Sequence, residues 1–313
     1  MIHILFGNYL KNKEILSEDV LKNIYEKQKQ TRAKLGIIAV SEKMLTIEQT
    51  DRINSLQSVY NKRFGDIAVE NKFLTEEQVS RLLAMQGNLY LSFVQCLVDD
   101  NVMTIEEVEE AFTSFQKELG FTRTDMDTLK SGNMDLIIPL FLPSDSLFQS
   151  EFAAKYQKRQ LTICINTLFR LIDSDLYIDK ASFVDKNSND RLAIQNLDGD
   201  ANMCLIIGGN KDNLLYTAST FANENFEKVD NDALDSIAEL INCVNGMFAS
   251  ECSGKFNIDM QPPQYYDSPT IVKYTDGMCL VPVYIKGKRI NIISIFDDSK
   301  NSLESLGFSL NKI

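Results

Sequence analysis

The chain has 313 residues, of which 44% are hydrophobic and 24% charged, the composition of a globular protein. Its length suits about two domains. The formal net charge is −12 at pH 7 without a cluster of basic residues, which excludes a nucleic-acid duplex or an anionic membrane surface as the main partner. A small anion held by one or two basic side chains stays open.

Metal and redox chemistry have little support in the sequence. The six cysteines are scattered without a CxxC pair, and His3 is the only histidine. We therefore favour buried thiols in a reducing compartment, and we expect this chain to bind no metal or cofactor of its own. The opening residues do not resemble a signal peptide, and no apolar run reaches the length of a membrane span, so we expect a cytoplasmic protein without membrane insertion.

Residues 1–120 consist of four similar units that predict one compact helical domain. The units begin 29 residues apart, at Phe6, Leu35, Phe64 and Phe93. A glycine follows in three of them, Gly7, Gly36 and Gly65, and Val94 stands there in the fourth. Within the units, the predicted N-cap residues are Ser17, Thr46, Thr75 and Thr104. Each unit therefore predicts a short helix, a turn and a longer helix, whose apolar faces need a neighbouring unit for burial.

The third unit carries a resemblance to a known family. Its stretch RFGDIAVENKFLTEEQVSRLLAMQ, residues 63–86, resembles the repeated motif in N-terminal domains of type II secretion and pilus-assembly ATPases. In some of those domains, two motifs separated by five residues bind cyclic di-GMP, and the 29-residue period fits that spacing. The resemblance implies that Lys34, Gly36, Arg63 and Gly65 would contact such a nucleotide.

Several positions depart from that motif. Lys34 replaces an arginine, so planar recognition of a guanine is lost at this position. Lys43 and Lys72 occupy the second glycine of the motif, where a Cβ limits the approach of a ligand. The resemblance therefore supports the predicted fold more strongly than it supports nucleotide binding. A helical scaffold that docks partner proteins is the other interpretation.

Glycines and prolines interrupt the helical period after the fourth unit, which predicts a linker over residues 121–146 and a second domain over 147–313. In the second domain, residues 150–175 predict a long helix, 191–209 a hairpin, and 210–225 another helix. Strand-like segments dominate the C-terminal part. Helices flanking an antiparallel or mixed sheet predict a two-layer α/β domain, so the fold class is α plus α/β.

The stretch DNDALDSIAELINCVNGMFASE, residues 230–251, predicts an amphipathic helix. At about 100° per residue, one face carries its apolar residues, Leu234, Ile237, Ala238, Ile241, Val244 and Phe248. Glu239, Asn242 and Gly246 fall together on the other face. A glycine inside a helix costs up to about 1 kcal/mol relative to alanine, so Gly246 predicts the close approach of a partner. Without further information, a merely solvated face is the simpler explanation.

The string AELINCVNGMFASE resembles the signature helix of the CheC/CheX/FliY chemotaxis phosphatases. The predicted elements from residue 147 to about 300 also follow the order of a CheX-like domain. The resemblance implies dephosphorylation of the aspartyl phosphate of a CheY-like response regulator. Asn242 would position the water, Glu239 would meet a lysine of the receiver, and Gly246 would permit close contact. The Mg²⁺ of the reaction would belong to the receiver.

The number of Glu/Asn pairs separates members of that family. CheC-type proteins carry two such helices, whereas this chain has one pair, and at Asn166 the residue three positions earlier is Ile163. The domain is therefore CheX-like, which implies a homodimer. A non-enzymatic signalling adaptor, which binds partner proteins or cyclic di-GMP, is the alternative function.

Overall fold

The structure is a computed structural model that describes residues 1–255, 257–297 and 308–312. Residues 256, 298–307 and 313, which the sequence assigns to the second domain, lie outside the described residues. The chain divides into two compact units, Met1–Gly132 and Asn133–Ile313.

The first unit is built from helices in pairs. They are α1 (Ile2–Asn12), α2 (Glu18–Gln28), α3 (Leu35–Ser41), α4 (Ile47–Tyr60), α5 (Phe64–Glu70), α6 (Glu76–Ala84), α7 (Leu89–Asp99), α8 (Ile105–Leu119) and α9 (Arg123–Ser131). The predicted hydroxyl N-caps are formed, since each side chain accepts a bond from the backbone N–H three residues later. Full capping boxes start α4, α6 and α8. The predicted all-helical repeat fold is confirmed.

The first glycine of the repeat motif permits tight packing within a unit. A Cβ on Gly36 would lie 2.7 Å from Thr50 Cγ2, and a Cβ on Gly65 would lie 2.9 Å from Val79 Cγ1. These distances are shorter than a carbon–carbon contact. Glycine therefore lets the first helix of each of these two units lie directly against the second.

The second glycine position of the motif lies in a turn with left-handed backbone. Lys43 has φ 56° and Lys72 has φ 61°, and the equivalent residues of the other units, Glu14 and Asn101, have φ 58° and 52°. Glycine is the residue that favours this conformation. The left-handed backbone of this turn thus explains why the motif has a glycine at this position.

The interval that the sequence assigns to a linker, residues 121–146, carries several short helices. It contains α9, which belongs to the first unit and starts with a capping box between Thr122 and Asp125. It continues with α10 (Met134–Ile137) and two 3₁₀ turns, Ile138–Phe141 and Asp145–Leu147. Gly120 and Gly132 end α8 and α9 in left-handed conformation, so these glycines terminate helices.

The second unit combines three long helices with a nine-stranded sheet. The helices are α11 (Glu151–Leu171), α12 (Lys211–Ala222) and α13 (Asn231–Cys252). The strands are β1 (Tyr177–Ile178), β2 (Ser182–Asn189), β3 (Arg191–Gly199), β4 (Asn202–Gly209), β5 (Ile258–Met260), β6 (Gln264–Tyr266), β7 (Thr270–Ile285), β8 (Lys288–Asp297) and β9 (Ser309–Lys312). All described pairings are antiparallel, in the order β1-β7-β8-β4-β3-β5; β2 and β9 also pair with β7, and β6 with β3.

The two faces of the sheet differ in what they pack against. One face carries an apolar cluster that includes Ile194, Ile206, Tyr274 and Ile293. Their strand neighbours Gln195 and Ser294 point to the other face, as the period of two requires, and hydrogen-bond to Asn245 of α13 and Gln160 of α11. The predicted two-layer α/β arrangement is confirmed, and it fixes α13 across the sheet with one face outward.

Candidate functional site

The candidate site lies on the outward face of α13. The helix starts at Asp230, whose carboxylate accepts a bond from the N–H of Ala233 at 3.3 Å. Its apolar stripe is buried, with Ile237 and Phe248 at 0% exposure. On the other side Glu239 is exposed. The amphipathic helix therefore forms as its 3.6-residue period predicts.

Glu239 and Asn242 are in direct contact. Nδ2 of Asn242 donates a hydrogen bond to Oε2 of Glu239 at 3.3 Å, and Asn242 is half-exposed. A Cβ added to Gly246 would have no heavy atom within 4 Å, apart from the adjoining residues and the nearby backbone of α13 itself. The structure thus brings the three predicted residues together, with a carboxylate, a carboxamide and a bare backbone turn on one helix face.

Cys243 borders this pair. Its Sγ lies 3.9 Å from Oε1 of Glu239, and it is the exposed member of the six free cysteines. Partial burial, and then the neighbouring Glu239 carboxylate, raise the pKa of the Cys243 thiol. The thiol is therefore protonated at neutral pH and adds no charge to the site.

Buried polar side chains that the sequence did not predict support Asn242 from beneath. Gln195, a residue of β3 that is 1% exposed, donates from Nε2 to Oδ1 of Asn242 at 2.9 Å. The same nitrogen donates to the backbone oxygen of Gln261 at 2.8 Å. Asn245, which is 0% exposed, donates from Nδ2 to Oε1 of Gln195 at 2.9 Å. The sequence contains one sign of this network: Asn245 places a polar side chain on the otherwise apolar face of the helix.

The candidate residues of the first unit do not share one cavity. Lys34 and Gly36 line a cavity of about 980 Å³, whereas Arg63 and Gly65 are not among its lining residues. Lys34 is exposed, and its Nζ lies 2.8 Å from Oδ1 of Asp99, so the two charges compensate each other. Arg63 is exposed at the start of α5.

Within the described part of the chain, no group of three or more His, Cys, Asp or Glu side chains is arranged to hold a metal ion. Among the same residues, no helix combines the length and the apolar character that crossing a bilayer requires.

The segment that carries the site matches a family model. Residues 191–290 match the family Chemotaxis phosphatase CheX. Glu239, Asn242 and Gly246 lie inside the matched segment, and so do Gln195 and Asn245. The match confirms the resemblance to CheX for this part of the chain and leaves the first unit outside it.

Solved structures of chemotaxis proteins are similar to part of this chain. CheX from Desulfovibrio desulfuricans is 11% identical, with a TM-score of 0.40, and the match covers 46% of this chain and 99% of that one. CheX from Vibrio vulnificus is 16% identical, with a TM-score of 0.41 and the same coverages. The CheX–CheY–BeF3–Mg²⁺ complex from Borrelia burgdorferi is 18% identical, with a TM-score of 0.36, covering 45% and 96%. Comparison with curated protein sequences gave no match.

Proposed function

We propose that the second unit dephosphorylates the aspartyl phosphate of a CheY-like receiver domain. The observation that carries the proposal is the contact between Glu239 and Asn242 on the exposed face of α13, inside the segment that matches CheX. The open surface at Gly246 supports it, because a folded receiver needs a flat helix face for close docking.

The chemistry asks little of the phosphatase beyond positioning. An acyl phosphate is already activated, so hydrolysis needs a water in line with phosphorus and stabilisation of the charge on the phosphoryl oxygens. In this proposal the Asn242 carboxamide holds the water without adding a charge, and the receiver supplies the Mg²⁺. Glu239 meets a lysine of the receiver, which orients the complex and raises its association rate.

For the first unit we propose a docking role, and for the whole protein a homodimer. The cavity beside Gly36 weighs against cyclic di-GMP as the ligand, because its one lining cation among the described residues is Lys34, already paired with a carboxylate. Four acidic side chains also line it, Asp51, Asp99, Glu106 and Glu107. A dianionic nucleotide would meet net repulsion there.

Phosphate release from a phosphorylated receiver tests the proposed function. The protein should accelerate release, and Asn242→Ala should lower the rate by about 100-fold, because water positioning is lost. Asn166→Ala is the matched control, since Asn166 is a half-exposed asparagine on α11 that hydrogen-bonds to Asp135. It should keep the wild-type rate. No acceleration by the wild type, or equal rates for wild type and Asn242→Ala, would reject the proposal.

A further inference from the structure

A continuous chain of buried polar side chains, three amides and one hydroxyl, runs beneath Asn242. Its members are Gln195 on β3, Asn245 on α13, Gln160 on α11 and Ser294 on β8, and each is at most 1% exposed. Buried polar groups need partners, and a satisfied network holds its members in one arrangement. The chain therefore connects the exposed Asn242 to groups with fixed positions in the core.

A backbone carbonyl sets the orientation of these amides. The oxygen of Gln261 can only accept, so the Gln195 atom that faces it at 2.8 Å has to be the nitrogen Nε2. The second hydrogen of this nitrogen points to Asn242, whose facing atom at 2.9 Å has to be the acceptor Oδ1. The outer atom of the Asn242 carboxamide is then Nδ2, which donates to Glu239 at 3.3 Å.

The remaining members extend the same polarity into the core. Oε1 of Gln195 accepts from Nδ2 of Asn245 at 2.9 Å, and Oδ1 of Asn245 accepts from Nε2 of Gln160 at 3.0 Å. Oε1 of Gln160 accepts from the hydroxyl of Ser294 at 2.7 Å. Every amide in the chain has both its ends engaged, so turning one of them over would break at least two hydrogen bonds.

We propose that Gln195 is a positioning residue that makes Asn242 present its nitrogen to the docking face. The inference rests on the proposed function and deepens it, since it specifies how Asn242 acts. Oδ1 is turned inward and one Nδ2 hydrogen is bonded to Glu239. Among the described residues no side chain or carbonyl accepts from the other N–H, which can therefore donate to a water or a phosphoryl oxygen. Asn242 thus works as a hydrogen-bond donor.

Glu239 alone does not replace this support. The terminal torsion of an asparagine is broad and nearly two-fold, so an unsupported carboxamide exchanges its oxygen and nitrogen positions. When Glu239 turns to a cation of the receiver, its hold on Nδ2 weakens. Gln195 is buried, so its hydrogen bond to Asn242 persists when the receiver is bound. Its loss should therefore change the rate of the chemical step and leave the affinity for the receiver unchanged.

The substitution Gln195→Met tests the inference, because methionine matches glutamine in length and can neither donate nor accept strongly. We expect kcat for receiver dephosphorylation to fall by about 10-fold or more, with KM changed by less than about 2-fold. The dissociation constant for a receiver carrying beryllofluoride should also stay unchanged. In an Asn242→Ala background the same substitution should cause no further loss of rate.

Gln157→Met is the matched control. Gln157 is another buried glutamine, 3% exposed, which donates to the backbone oxygen of Ser294 at 2.6 Å and does not touch Asn242. It should lower thermal stability to a similar degree and leave kcat unchanged. If both variants lower kcat equally, the role of Gln195 is structural and the inference is overturned.

Nuclear magnetic resonance separates this inference from the proposed function. In the wild type, both Nε2 protons of Gln195 are bonded and should exchange slowly with solvent; exchange as fast as that of an exposed glutamine would overturn the inference, even if no Gln195 variant folds. The side-chain amide signals of Asn242 should shift in Gln195→Met but not in Gln157→Met. If the wild type releases no phosphate, the proposed function fails while these signals still decide the positioning role.

Discussion

At the scale of single residues, the site depends on the chemistry of a carboxamide. Asn242 offers a donor and an acceptor without a charge, and the glutamine behind it occupies the acceptor. A carboxylate at this position would repel both the phosphoryl oxygens and Glu239, which lies within hydrogen-bond distance. The pairing of one acid with one amide therefore suits an anionic target better than two acids would.

Cys243 provides a chemical probe of the same face. It is exposed, whereas the other five cysteines are buried, so N-ethylmaleimide should modify Cys243 alone in the folded protein. Because its pKa is raised by partial burial and by Glu239, labelling at neutral pH should be slower than that of a free cysteine. We expect the adduct, which adds bulk beside Glu239, to abolish receiver dephosphorylation, measured by phosphate release.

Cys243→Ser is the control for this labelling experiment. It should retain the wild-type rate and become insensitive to the reagent. A fully labelled wild-type protein that still dephosphorylates the receiver at its original rate would show that the receiver does not dock beside Cys243.

At the scale of elements, α13 carries a glycine that its own packing does not require. The space around a Cβ at Gly246 is open, so Gly246→Ala should raise the free energy of unfolding by about 0.4–1 kcal/mol. The added methyl group should nevertheless raise KM for the receiver, because it stands on the docking face. Urea unfolding and phosphate-release kinetics on the same variant measure the two effects. Greater stability with unchanged KM would contradict close docking at this turn.

Gly65, the glycine of the third repeat unit, is required by packing, in contrast to Gly246. A Cβ on Gly65 would lie 2.9 Å from Val79 Cγ1, so Gly65→Ala should lower the free energy of unfolding by about 1–3 kcal/mol. The additional substitution Val79→Ala should restore part of the loss by making room. Gly87→Ala is the control, because no atom lies within 4 Å of its Cβ position. Equal stabilities of the two glycine variants, measured by urea unfolding, would refute the packing role.

Elements whose signals are local could be predicted from the sequence. The capping residues and apolar periods identified the repeat helices, α11 and α13, because helix contacts lie within a few residues of each other. The wheel also gave the correct outward face for Glu239. Gln195 escaped notice because its partners Asn242 and Asn245 lie 47 and 50 residues away, and only the packing of α13 against β3 brings them together.

At the scale of the whole molecule, one histidine makes stability depend on pH. His3 is 4% exposed, and burial, followed by the nearby amino terminus, lowers its pKa to about 3. An unfolded chain binds this proton near pH 6.5, so stability is full above that pH and falls as the pH drops toward 3. Between pH 7 and pH 5 the free energy of unfolding of the first unit should decrease by about 2 kcal/mol.

His3→Gln isolates this effect, since the chain has a single histidine and glutamine does not titrate. The difference in urea midpoint between wild type and variant should change between pH 7 and pH 5, while contributions from carboxylates cancel. Parallel pH profiles of the two proteins would show that His3 is accessible to protons in the folded state.

The strand order of the second unit also has a consequence for the protein during its synthesis. β2 pairs with β7, which places Ser182 opposite Leu280, so the sheet cannot close until the ribosome has made residues far along the chain. The first unit needs only residues up to Gly132, which include α7, the helix against which α1, α2 and α3 pack. We therefore expect the helical unit to fold on the nascent chain before the sheet against which α13 packs is complete.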